Sequence, residues 1–104
     1  MIYTKPLLIL KILFESCRPR PIFGIYRPQA YIKGGGDYCT VIRFEIFKTE
    51  IIAGEEVVLD VVLESPVGFG KKLKPGTLLE IKDGLDLVGK ALVLEIKGYQ
   101  EQVI

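Results

Sequence analysis

Histidine and tryptophan are absent from this chain of 104 residues, methionine occurs once and cysteine twice. Without histidine the chain lacks the usual general base near neutral pH and the commonest metal ligand. The two cysteines, Cys17 and Cys39, do not form a Cys-x-x-Cys pair, and with no histidine beside them they cannot complete a four-ligand zinc site. They read as free thiols rather than a disulfide. Neither sign of charge is in excess: 14 Lys+Arg stand against 13 Asp+Glu. No bulk field therefore draws nucleic acid, and any such site must come from local clustering. Long apolar runs are missing as well, so no stretch is expected to span a bilayer. Leu7-Leu8-Ile9-Leu10 is cut short by Lys11, and Phe14-Glu15-Ser16 offers no small-residue cleavage site, so a signal peptide is not expected and the cytoplasm is the expected compartment. No nucleophile–base pair stands out, and Glu55-Glu56 flanks a turn rather than a cleft. The expectation is a protein that is not an enzyme and that needs no metal, cofactor or small-molecule substrate.

What is present is β pattern. Hydrophobic residues make up 49% of the chain and the mean hydropathy is +0.33, high for so small a domain. Some of that apolar area is expected to face a partner rather than water. The length fits one domain over residues 1–104, with a core from about 7 to 97 and a loose tail from Gly98 to Ile104. Leu7 to Glu15 is apolar nearly throughout and reads as a strand with both faces covered. Cys17 to Gly24 reads as a loop held extended by Pro19 and Pro21, with Arg18 and Arg20 projecting from it. Tyr26 to Lys33 alternates, and Pro28 makes it an edge strand or a bulged one.

Gly34-Gly35-Gly36-Asp37 is a turn. It is not a phosphate cradle, because no helix and no Gly-Lys-Ser/Thr follow it. Strands are expected at Tyr38 to Ile46, Val57 to Glu64, Thr77 to Lys82 and Leu87 to Lys97, with turns at Ala53-Gly54 and Asp83-Gly84. Ser65 to Pro75 is irregular and carries Lys71, Lys72 and Lys74, which read as a solvated charge run. Six strands with short turns and no amphipathic helix predict an all-β fold, a closed antiparallel, Greek-key-like barrel that leaves no edge open to aggregation.

The order of several short pieces resembles a known family. Tyr26-Arg27-Pro28-Gln29 with Tyr31 after it, the Thr40-Val41 strand, Ala53-Gly54-Glu55 leading into a valine-rich strand that ends at Pro66, Pro75-Gly76-Thr77, and Ile81-Lys82-Asp83-Gly84 leading to Val88-Gly89 are together similar to the C-terminal β-barrel of elongation factor Tu. The likeness runs from about Leu7 to Ile96. It implies a six-stranded closed barrel without the catalytic GTPase domain, in a translation-related setting. It also implies contact with the T arm of aminoacyl-tRNA, with a GTPase domain and with an exchange factor. By position, the tRNA-contact residues would be Gln29, Asp83 and Gly84, with Arg18 or Arg20 for the basic loop residue and Cys39 or Thr40 for a threonine. The pattern departs at Ser65, which replaces a lysine, at Leu85-Asp86-Leu87-Val88-Gly89, which replaces Gly-Arg-Thr-Val-Gly, and at Gly24, a glycine one place early.

Two functions follow as expectations. The first is a protein-interaction or self-association module that works through the outward residues Leu7, Ile9, Leu13, Val58 and Val62. The alternative is RNA binding, tRNA-like in kind, through Arg18, Arg20, Arg27, Gln29, Thr40, Asp83 and Gly84, with Lys71, Lys72 and Lys74 in support.

Overall fold

The computed structural model describes residues 4–36, 38–64 and 69–103. Asp37, Ser65, Pro66 and Ile104, to which the sequence reading assigned turn, loop or tail, lie outside these. Among the described residues seven strands are formed: β1 (Thr4–Ser16), β2 (Ile22–Tyr26), β3 (Gln29–Ile32), β4 (Cys39–Ile51), β5 (Glu56–Glu64), β6 (Leu78–Asp83) and β7 (Asp86–Val103). All pairings are antiparallel. Following neighbours from β4 through β3, β6, β7, β1 and β5 returns to β4, so six strands close a barrel and β2 is an extra strand attached to β4.

Alternation places Leu8, Leu10, Ile12 and Phe14 of β1, Ile42 and Phe44 of β4, Val61 and Leu63 of β5, Leu79 and Ile81 of β6 and Val93 of β7 inside. The Phe14 and Phe44 rings meet edge to face at 4.9 Å, a favoured aromatic geometry. Gly89 is buried against this pair: a Cβ there would lie 2.6 Å from Phe14 Cζ and 2.7 Å from the Glu15 carbonyl oxygen.

The extra strand is the main departure from the expected fold. Ile22 to Gly24 is strand rather than loop, and Pro28 divides the expected Tyr26–Lys33 strand in two. Register shows why. Gly24↔Ile46, Ile25↔Glu45 and Tyr26↔Phe44 continue in step with Gln29↔Val41, Ala30↔Thr40 and Tyr31↔Cys39, and the Ile42 N–H donates to the Pro28 carbonyl at 3.0 Å. β2, Pro28 and β3 therefore form one arm of a long hairpin with β4. Only the β3 part has a second neighbour, β6. A hydrogen-bonded antiparallel pair exchanges both of its bonds on one side, so the N–H that Pro28 lacks would have faced Ile42 of β4, and the ladder loses that one bond just where the pairing with β6 ends at Gln29. Beyond it β2 and the far half of β4 run on as a two-stranded ribbon.

The largest extensions beyond the expected strands are in β4 and β7. β4 continues to Ile51, and β7 continues to Val103 in register with Thr4 of β1, so the expected loose tail is paired backbone. Gly98, φ +97°, sits at a register shift opposite Ile9 and Leu10. A positive-φ glycine at such a bulge bends a strand without ending it.

Antiparallel order sorts the connections to two ends. One end carries the β1–β2 loop (17–21), the β4–β5 turn (52–55) and the β6–β7 turn at Gly84-Leu85. The other carries the β3–β4 turn and the β5–β6 connection, in which Gly70–Lys72 forms a single 3-10 turn.

Candidate functional site

The ribbon has two unlike faces. Ile22 and Ile51 are fully buried and Tyr26 and Ile46 pack on the core, so one face closes the barrel end. On the other face Phe23 is 63%, Ile25 60% and Phe47 62% exposed, with Ile52 half exposed just beyond. Local sequence accounts for this split. In β2 alternation must send Phe23 and Ile25 opposite to Ile22 and Tyr26. In β4 the register steps from Gly24↔Ile46 to Ile22↔Ile51, so Phe47 to Glu50 bulge outward, all exposed. Among the described residues β2 pairs with β4 alone, so its other edge is open. Exposed aromatic and branched side chains beside an open strand edge are what soluble proteins normally avoid, unless a partner covers them.

Next to the ribbon at the same barrel end lies an open groove of about 800 Å³. One wall is the Cys17–Arg20 loop and the other is the β6–β7 hairpin with Asp83, Leu85 and Asp86, over a floor that includes Leu87 and Val88. Tyr26 joins the walls. The Arg18 guanidinium lies 4.5 Å from its ring centroid, and its hydroxyl donates to Asp83 Oδ2 at 3.1 Å. Burial, reinforced by the charge of Asp83 and the hydrogen bond to it, pushes the Tyr26 phenol up to about 12. Arg18 Nη1 also donates to the Pro21 carbonyl at 3.0 Å, so this arginine is held in place by its own loop. The Cys17 thiol donates to the Leu87 carbonyl at 3.4 Å, and both cysteines are unpaired and exposed. Among the described residues no group of three or more His, Cys, Asp or Glu could hold a metal ion.

Of the RNA-binding candidates, Arg18, Arg20 and Asp83 line this groove, and Gly84 turns the hairpin beside it with φ +64°. The others are elsewhere. Arg27 Nε is 2.7 Å from Glu64 Oε2, and that contact raises the guanidinium above its usual value. Gln29 is half buried in β3 between β4 and β6. Thr40 is buried and its hydroxyl donates to the Glu64 carbonyl oxygen, which braces β4 against β5. Lys71, Lys72 and Lys74 belong to the opposite barrel end, where Lys72 lies 4.8 Å from the centroid of the Tyr38 ring. The basic residues thus do not merge into one surface.

The protein-interface candidates also separate. Leu7 is only 4% exposed; it and Leu8 are both buried, so both faces of β1 are covered there and Leu7 offers no contact surface. Ile9, Leu13 and Val62 are half buried, while Val58 is exposed. Val58 pairs with Leu13, Leu13 with Leu92, and Leu92 with Leu78, giving a thin apolar band around the outer barrel wall. The ribbon residues Phe23, Ile25 and Phe47, with Ile52 just beyond, form a more aromatic exposed cluster, and sequence reasoning passed over them. Their signal was the doublets Ile22-Phe23 and Ile51-Ile52, in which one member must face outward once the other is buried. No known family model matches this chain.

Proposed function

We propose that this protein is a non-catalytic binding module, built like the C-terminal barrel of elongation factor Tu, that docks a protein partner on the outer face of the β2–β4 ribbon. The observation that carries this reading is the cluster of Phe23, Ile25 and Phe47, each about three-fifths exposed, on a ribbon that stands outside the closed barrel. The barrel wall is satisfied by its own pairing and the ribbon edge is not. A partner that covers this face gains apolar burial and main-chain hydrogen bonds together, the combination used when a strand is added to an open edge. The resemblance to the elongation factor barrel supports a translation-related setting.

RNA binding is less well supported by the groove. Arg18 and Arg20 would meet phosphates well, but Asp83 and Asp86 stand on the facing wall and repel them. The supporting lysines lie at the far end of the barrel.

The test is affinity capture from cells that express the tagged protein, with and without ribonuclease. A discrete protein should be retained by the wild type and by Arg18→Glu/Arg20→Glu, survive ribonuclease, and be lost from Phe23→Ser/Phe47→Ser. Capture that ribonuclease abolishes, or that the ribbon substitutions leave intact, would refute the reading.

A further inference from the structure

The groove beside the ribbon is separate from the surface just assigned. Its two walls carry equal and opposite charge, Arg18 and Arg20 against Asp83 and Asp86. Within one molecule much of this charge is unmatched: among the described residues Arg20 and Asp86 make no ion pair. Asp83 and Asp86 are also direct register partners in the hairpin stem, an arrangement of like charges that costs stability. The hairpin tip is stranger still. Leu85 is 100% exposed, at the second position of a two-residue turn whose first residue, Gly84, takes the positive φ. Behind it lies the less exposed floor of Leu87 and Val88.

We propose that the occupant of this groove is the same groove of a second copy of this chain, related by a two-fold axis. In a two-fold contact residue i of one copy meets residue j of the other, and j meets i. The arginine wall of each copy then faces the aspartate wall of the other, and four charged contacts form from walls that each carry two like charges in the monomer. Leu85 of each copy enters the other's floor of Leu87 and Val88 and leaves water. The loop that carries the arginines is braced by Pro19 and Pro21 and by the Arg18 contacts with Tyr26 and Pro21, so little ordering is lost on association. A polyanion satisfies only one wall and must tolerate two carboxylates on the other; a second copy satisfies both.

Sedimentation equilibrium over a wide concentration range tests this directly. Wild type should dimerise reversibly, and the dimer should weaken as salt is raised. Arg18→Glu/Arg20→Glu and Asp83→Lys/Asp86→Lys should each weaken self-association by about a hundredfold or more, since like charges are then juxtaposed. Mixing the two variants should restore a one-to-one dimer, because every contact is again between opposite charges; recovery also shows that both variants are folded. Leu85→Ser, at a position with no packing to lose, should weaken the dimer roughly tenfold. Phe23→Ser/Phe47→Ser should leave the dimer unchanged, so failure of this proposal and failure of the ribbon reading are distinguishable. A wild type that stays monomeric throughout, including one that instead binds RNA through the arginines, overturns the proposal. So does a dimer indifferent to the charge reversals and to Leu85→Ser, or a mixture that does not reassociate.

Discussion

Replacing Gly89 by alanine adds one methyl group at the most closely packed of the described glycines. The φ angle is not at issue there; space is. The added carbon would lie 2.6 Å from Phe14 Cζ and 2.7 Å from the Glu15 carbonyl oxygen, where ordinary heavy-atom contacts need roughly 3.5–4.0 Å. Phe14 has no exposed surface and its ring stacks edge to face on Phe44, also fully buried, so it cannot swing aside without displacing a second aromatic. The carbonyl belongs to β1, whose register with β5 and β7 fixes it. Overpacking usually costs about 1–3 kcal/mol, and with both neighbours immobile the cost belongs near the top, about 3 kcal/mol. For a domain of this size each kcal/mol moves the melting temperature by about 4–8 °C, so Gly89→Ala should melt about 12–24 °C below wild type. Urea titration should show a lower midpoint with an unchanged slope. A variant within about 0.5 kcal/mol of wild type would show that the β1–β7 seam is looser than described.

Gly84→Ala at φ +64° should destabilise by about 1–2 kcal/mol, the cost of a left-handed conformation for an ordinary residue, as read by the same urea titration. The Arg27–Glu64 pair is at the surface, so Arg27→Ala should lower the melting temperature slightly at low salt and not at all at high salt; a salt-independent loss would mean that Arg27 acts by packing. Tyr26 holds its proton more tightly in the folded state than in the unfolded chain. Its stabilising contribution is therefore complete below its ordinary value of 10 and should decline as pH rises from there toward about 12. Tyr26→Phe should remove that part of the alkaline slope in a stability-versus-pH series. Phe23→Ser/Phe47→Ser should leave stability within about 0.5 kcal/mol of wild type, as surface substitutions do, yet lower affinity for the captured protein about thirtyfold or more.

The closed barrel could be read from residues such as Val57 to Glu64, whose strict alternation assigns one face to the core. Closure followed from the scarcity of anything that would cover a sheet edge. The ribbon could not be read in the same way. Pro19, Pro21 and Gly24 all signal a loop, and only pairing with a distant part of β4 turns Ile22–Tyr26 into strand. Gly98 reads as a stop because a glycine in sequence does not declare whether it ends a strand or bends it. Arg18, Arg20 and Asp83 were legible as a loop and a hairpin of polar interest, and the fold brings them into one groove. Arg27 and Thr40 were legible only as polar residues. Both are engaged at Glu64, a partner 37 and 24 positions away, which no local pattern reveals. Leu7 differs from Ile9 in burial although both share the outward parity of β1, because burial on that face depends on what lies over it rather than on alternation.

Photo-crosslinking tests the ribbon assignment most directly. A photoreactive phenylalanine analogue placed at Phe23, at Phe47 or, as a control, at Lys71 at the far end of the barrel would be activated in living cells. The account predicts the same discrete protein adduct from Phe23 and Phe47 and none from Lys71. Adducts to RNA alone from the ribbon positions, or a protein adduct from Lys71 but not from Phe23 and Phe47, would contradict it.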